Sequence, residues 1–243
     1  MKVLAISLLA LSLLGIGAHA QTDAAVKINL KTADKFALLG GAGITNVSAQ
    51  TYIIGDVGSS PTFTISGLTP SQVKGRLFLK ASPVTAQAQK DLAVAYGEAA
   101  GAACGTDLTG EDLGGMRLAP GVYCFSSSAG LTGTLTLDAQ GNPDSQWVFQ
   151  IASALTVASN SKVVMVLGHN LPQPLWAKGM RGCNVYWQVG SSATIGSGHI
   201  FVGKILALTS ITLNGGTFRG KGLASNGAIT MSTQEMVDGP PCK

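Results

Sequence analysis

Charge is scarce in this chain: only 12% of its 243 residues are Asp, Glu, Lys or Arg, and the formal balance is +4. With no run of Lys or Arg, that balance speaks against an electrostatic binder of nucleic acid or of a membrane surface. The acids are scattered, at Asp56, Asp91, Glu98, Asp107, Asp138, Asp144, Glu235 and Asp238 among others. Glu111-Asp112 is the only adjacent pair. Neighbours on a strand face opposite ways, so the pair does not supply the matched acid and base a glycosidase needs. Histidine is rarer still, at three. None of the four cysteines has CxxC spacing, so no metal site is expected.

Other absences narrow the function further. No Gly-x-Ser-x-Gly elbow occurs; Gly196-Ser-Gly-His199 comes nearest and reads as a turn. The pairs Gly40-Gly41 and Gly215-Gly216 lack the lysine or the strand-to-helix setting of a phosphate loop. Beyond the N-terminus no apolar run reaches the 18 residues of a spanning helix. Aromatic residues make up 6%. Trp187 falls on an inward position, while Trp147 and Trp176, expected at the surface, are too few and out of step to line a sugar platform. The pattern implies neither an enzyme nor a cofactor.

What is present begins with Lys2, an apolar run from Val3 to Leu14 and the small-residue pattern Ala18-His19-Ala20. Residues 1–20 read as a secretory signal peptide, with 21–243 as one exported domain, extracellular or periplasmic. Four cysteines, Cys104, Cys124, Cys183 and Cys242, are then disulfide candidates, because an exported chain meets an oxidising compartment.

Six segments superpose on one pattern: Ile44-Thr45, Leu131-Thr132, Leu155-Thr156, Ala193-Thr194, Ile211-Thr212 and Ile229-Thr230. The last three threonines are 18 residues apart. Such self-similarity predicts a mainly β parallel solenoid of about six coils. Strand alternation points Leu155, Val157, Ala193, Ile195, Ile211, Leu213, Ile229 and Met231 inward and the threonines outward. Flanking the threonines are Gly130, Ala154, Ser192, Ser210 and Ala228 on one side and Thr134, Ala158, Gly196, Asn214 and Ser232 on the other. Threonine suits exposed strands in any protein. A whole face without Lys, Glu or Asp is less ordinary. It would be flat, with methyls and hydroxyls in ranks about 4.7–4.9 Å apart. A surface of that kind fits an uncharged lattice of ordered water, and so an ice crystal.

Ser82-Pro83 and the Ala-rich stretch after it predict one helix over about 83–100, capped by Ser82 and ending near Gly101. At 1.5 Å per residue it is about 27 Å long, enough to lie along the stack. The strand preceding each threonine carries outward Val148, Tyr186 and Ile205, which need a cover, and the helix is the candidate. Cys124 falls on that outward side and Cys104 just past the helix end, which favours Cys104–Cys124 and leaves Cys183 for Cys242. Residues 55–79 match the repeat poorly and are expected to cap one end. The stretch 168–182 is expected to be an inserted loop.

Several blocks are specific beyond the repeat: Ser128-Ala-Gly-Leu-Thr-Gly-Thr-Leu-Thr-Leu-Asp138, Trp147-Val-Phe-Gln-Ile151, Cys183-Asn-Val-Tyr-Trp-Gln-Val-Gly-Ser-Ser-Ala-Thr194 and Phe201-Val-Gly-Lys-Ile-Leu-Ala-Leu-Thr-Ser-Ile-Thr-Leu-Asn214. With them the chain resembles the microbial secreted ice-binding proteins, from about Phe36 to Val237. The resemblance implies a right-handed β-solenoid of triangular section with a flanking helix. It also implies that the N-terminal coil packs beside the last one, bringing Thr45 next to Thr230, and that one flat face binds ice without a cofactor. Family turns of the form Thr-Ala/Gly-x-Thr/Asn survive here only as Val157-Ala-Ser-Asn160, which points to modest activity. The expected site is thus Thr45, Thr132, Thr134, Ala154, Thr156, Ala158, Ser192, Thr194, Gly196, Ser210, Thr212, Asn214, Ala228, Thr230 and Ser232, in a monomer whose partner is ice. The alternatives are a structural or adhesive cell-surface solenoid, which a second repeat domain or an anchoring signal would favour, and a carbohydrate-active solenoid enzyme, against which the want of a carboxylate cluster argues.

Overall fold

The computed structural model describes residues 26–168 and 182–239. The expected signal peptide, Trp176, Cys242 and nearly all of the 168–182 loop lie outside the described residues. Two parallel sheets, of 14 and 7 strands, enclose one core on three sides. The smaller sheet is one side, the ladder face. Its strands are only two or three residues long and stack in the order Ala129–Leu131, Leu155–Val157, Ala193–Ile195, Ile211–Leu213, Ile229–Met231, Ile44–Asn46 and Ile65–Ser66. Each of the three-residue strands is buried, outward and buried again along its length, with apolar residues facing in at nearly every rank.

The larger sheet wraps the other two sides because the strands His199–Ala207 and Gly216–Ala224 run through a corner without a break. Gly203 and Gly220 pair at that corner. Gly203 sits at φ +117°, and a Cβ there would come 2.7 Å from Trp187 Nε1. On Gly220 a Cβ would meet the Gly203 carbonyl oxygen at 1.7 Å. Only glycine allows both the turn and the approach. Inside, Tyr123, Phe149, Trp187, Phe201 and Phe218 stack from coil to coil with ring centroids 4.0–5.8 Å apart. This puts Trp187 in the core, as its inward position predicts.

The coils do not stack in chain order. The first ladder strand, Ile44–Asn46, pairs with the last, Ile229–Met231, so that Thr45 lies beside Thr230. After a second coil the helix Pro83–Ala100 runs back along the body, and the chain then winds forward until its last coil meets the first. Ser82 caps the helix, accepting the Val84 N–H at 3.2 Å. Its buried Ala88, Leu92, Ala95 and Ala99 pack on Val148, Tyr186, Leu206 and Leu223. Cys104 and Cys124 are bonded, with Cα atoms 5.9 Å apart, and tie the chain just past the helix to that side.

Three expectations need correction. Ile205 faces the core, and its neighbour Leu206 points outward beneath the helix. Tyr186 pairs with Lys204, so that outward row continues into a buried lysine instead of an apolar residue. Trp147 is fully buried and donates its indole N–H to the Leu118 carbonyl at 3.2 Å. Residues 55–79 do end the stack, but as a further coil: Asp56–Ser59, Ile65–Ser66 and Val73–Lys74 each pair with the corresponding strand of the coil before. The ladder accordingly has seven strands where about six coils are expected.

Candidate functional site

The ladder face is built by backbone pairing at every rank. Thr156, Thr194, Thr212, Thr230 and Thr45 are direct neighbours in one column. Ser66 extends it beyond Thr45, accounting for one end. At the other end the register departs from the sequence expectation. Gly130, not Thr132, pairs with Thr156. Thr132 is therefore two residues along, in the flanking column, and Thr134 opens a strand of a different side, pairing with Lys162. Asp112 bridges to Gly130 and ends the column with a charge.

Two columns of small residues flank the threonines. On one edge, the carbonyls of Ala154, Ser192, Ser210, Ala228, Gly43 and Thr64 each accept the N–H that opens the neighbouring ladder strand. On the other edge, the N–H groups of Ala158, Gly196, Asn214, Ser232 and Val47 donate to the ladder strand one rank over. These bonds hold the edge residues in the same ranks as the threonines. The ranks from Gly130 to Ser66 contain no charged side chain in any of the three columns. Gly43, Val47, Thr64 and Ser66 belong to the surface although the threonine pattern omits them. For Ser66 a signal existed: Ile65-Ser66 is the same apolar-hydroxyl pair with serine for threonine.

The hydroxyls of Thr156, Thr194, Thr212 and Thr230 have no hydrogen-bond partner among the described residues. Each keeps one donor and two lone pairs for solvent. Toward the two ends of the face hydroxyls are bonded: that of Thr45 accepts from Ser66 at 3.3 Å, and that of Thr132 meets Asp112. Asp112 Oδ1 accepts N–H bonds from Gly114 at 2.7 Å and Thr132 at 2.9 Å, and Oδ2 accepts the Thr132 hydroxyl at 2.9 Å. Partial burial alone would raise this carboxyl, but those bonds outweigh it and hold it below the ordinary range. Its charge is satisfied within the end rank.

The other two sides differ in kind. One is covered by the helix. The third carries outward Lys162, Thr217, Arg219, Tyr52 and Met236, with Tyr52 40% and Met236 44% exposed. Among the described residues no group of His, Cys, Asp and Glu could hold a metal ion. His199, the histidine of the serine-glycine turn, is buried against Glu235 and faces no serine hydroxyl.

A family model described as Ice-binding-like matches residues 38–237. An ice-binding protein of Nostoc sp. (strain HG1) is 47% identical over 209 residues, covering 85% of this chain and 72% of the relative. One from Colwellia sp is 31% identical, covering 84% and 81%. Among solved structures, an ice-binding protein from an Antarctic biological consortium superposes with a TM-score of 0.74 at 36% identity, over 86% of this chain and 90% of that one. An ice-binding protein from an Arctic yeast reaches 0.76 at 28% identity, over 90% and 98%. With a match this long, and with the solenoid and its flanking helix in place, the chain belongs to the ice-binding-like family.

Proposed function

We propose that this protein adsorbs to ice through the ladder face, and thereby restrains ice growth and recrystallisation. One observation carries the choice of face: four consecutive threonines stand in a single column with hydroxyls that bond to nothing among the described residues. Ranks about 4.7–4.9 Å apart present methyls and hydroxyls at fixed spacing. Water held between them is templated by the protein, and no nearby charge imposes a competing hydration shell. Neither an acid/base pair nor a cofactor is required, so the activity is binding and not catalysis. We further take the chain to be exported, with cleavage near Ala20, and to act as a monomer on the ice surface.

The test is direct. Purified protein from Gln21 onward should shape ice crystals, inhibit recrystallisation and produce a freezing hysteresis. Crystals that grow unshaped and coarsen at the control rate would sink the proposal. Thr194→Tyr and Thr212→Tyr place a ring where the plane must be flat. Each should reduce activity about tenfold or more while leaving the circular dichroism spectrum intact, because bulk at the centre of a contact surface separates all its neighbours.

A further inference from the structure

Only two asparagines in the chain are followed by glycine, Asn214 and Asn226, and both border the ladder face. Asn214 stands in one edge column, its N–H donating to the Ile195 carbonyl at 3.0 Å, and Asn226 lies in the turn before Ala228 of the other. Each glycine is required. Gly215 has φ +97°, and a Cβ there would lie 1.9 Å from Thr233 Oγ1. On Gly227 a Cβ would lie 2.2 Å from Ser210 Oγ. The margins of an uncharged face thus carry the dipeptide at which a neutral side chain becomes charged without any enzyme.

In that reaction the glycine nitrogen gives up its proton to hydroxide and attacks the asparagine Cγ. The new carbon–nitrogen bond closes a succinimide ring, the side-chain nitrogen leaves as ammonia, and water opens the ring to aspartate or isoaspartate. The net change is an amide exchanged for a carboxylate. It begins only when the glycine nitrogen is released from other bonds. At both sites that nitrogen is held. Gly227 N–H donates to the Thr209 carbonyl at 2.9 Å, a backbone bond of the stack itself. Gly215 N–H donates instead to a side chain, at 3.1 Å from Glu235 Oε2.

Glu235 is fully buried and pairs with Gly216. Its other oxygen lies 3.0 Å from His199 Nε2, which leaves Oε2 aimed at the turn. A carboxyl keeps an oxygen to accept with in either protonation state, so the hold needs no particular pH. The Asn214 side chain is half-buried and has no partner among the described residues. We propose that Asn214 is the ladder's site of spontaneous deamidation, and that Glu235, by occupying the Gly215 N–H, restrains it and keeps a charge off the face. The benefit rests on the ladder as the ice-binding face, where a carboxylate beside Thr212 would bring its own hydration shell among the ranks.

Peptide mapping after storage in warm, mildly alkaline buffer counts both conversions in one digest, with Asn226 as the internal reference for any general loosening. Glu235→Met keeps the bulk and removes the acceptor, whereas Glu235→Gln keeps an acceptor. The rate at Asn214 relative to Asn226 should rise about threefold or more in Glu235→Met and stay at the unaltered value in Glu235→Gln. Equal ratios in all three proteins would overturn the proposal. Hydrogen exchange needs no variant: the Gly215 amide should be protected as the Gly227 amide is, and exchange at the rate of a free amide overturns it equally. On ice, Asn214→Asp should raise the recrystallisation endpoint about tenfold while Asn214→Ser leaves it in place. A fully active Asn214→Asp beside an inactive Thr212→Tyr would show that the face tolerates the charge, and the guard would have nothing to protect. Were the unaltered protein inactive on ice, the ladder reading would fall, and mapping and exchange would still decide whether Glu235 restrains Asn214.

Discussion

Lys221 shows how a single residue can run against its type. Its ammonium, fully buried, donates to backbone carbonyls of Asp34 and Gly239 and so ties the N-terminal turn to the C-terminal strand. Burial pushes its titration down to about 8, against the opposing pull of Asp34. The folded state thus loses the proton before the unfolded chain does, near 10.5, and stability rises with pH between those values. From pH 8 to pH 10 the gain is about 2 kcal/mol. Denaturant melts at both pH values should show the stability gap between the native protein and Lys221→Gln widening by that amount. A gap that narrows would show that the carbonyls and Asp34 outweigh burial. Nothing in the sequence marks Lys221 as interior, since lysines are surface residues by default. Thr132 misleads for another reason. Ala129-Gly130-Leu131 and Leu131-Thr132-Gly133 both offer an inward apolar residue ahead of an outward position, and a slip of two leaves strand alternation unchanged. Only the pairing of Leu131 with Val157 fixes the register.

At the scale of elements, the helix was the most legible part of the chain. Ser82 and Pro83 mark its start and Gly101 its end, at the boundaries the structure shows. Its covering role was also readable, because Val148 and Tyr186 point outward and are apolar. Leu92 sits at the centre of that contact, fully buried among Val148, Tyr186, Leu206 and Leu223. Leu92→Ala should therefore cost about 2–5 kcal/mol in denaturant melts, with activity near 0 °C retained in the folded fraction. A cost below 1 kcal/mol would mean that the helix merely rests on the solenoid. The strand behind Ile205 was harder to read. His199–Ala207 keeps one alternation through the corner at Gly203, with Phe201, Ile205 and Ala207 facing the core and Leu206 facing the helix. Because Ile205, Leu206 and Ala207 are all apolar, the run shows no alternation by which to tell inward from outward. Residues 55–79 were hard for a related reason. Their two-residue strands Ile65–Ser66 and Val73–Lys74 are too short to show any period.

The whole molecule turns its three sides to different tasks: one is sealed by the helix, one is bulky and charged, and one is flat, small-sided and uncharged. That division was partly visible in sequence through the threonine spacing, while the order of the coils came only from family resemblance, since no local signal joins Thr45 to Thr230. It leads to a graded expectation. Seven ladder strands span about 29 Å at solenoid spacing, and adsorption to a crystal depends on the area that can lie flat. A tyrosine at the middle lifts ranks on both sides from contact, whereas one at an end lifts few. Thr212→Tyr should thus weaken recrystallisation inhibition about tenfold or more, and Ser66→Tyr, at the last rank, only about twofold to threefold. Thr136 pairs with Val164 in the outward column of the third side that continues through Val202 and Arg219. Thr136→Tyr should leave the endpoint unchanged. If Thr136→Tyr abolished activity and the ladder variants kept it, the third side would be the one that meets ice. If Ser66→Tyr were as damaging as Thr212→Tyr, contact would depend on the end coil and not on the length of the face.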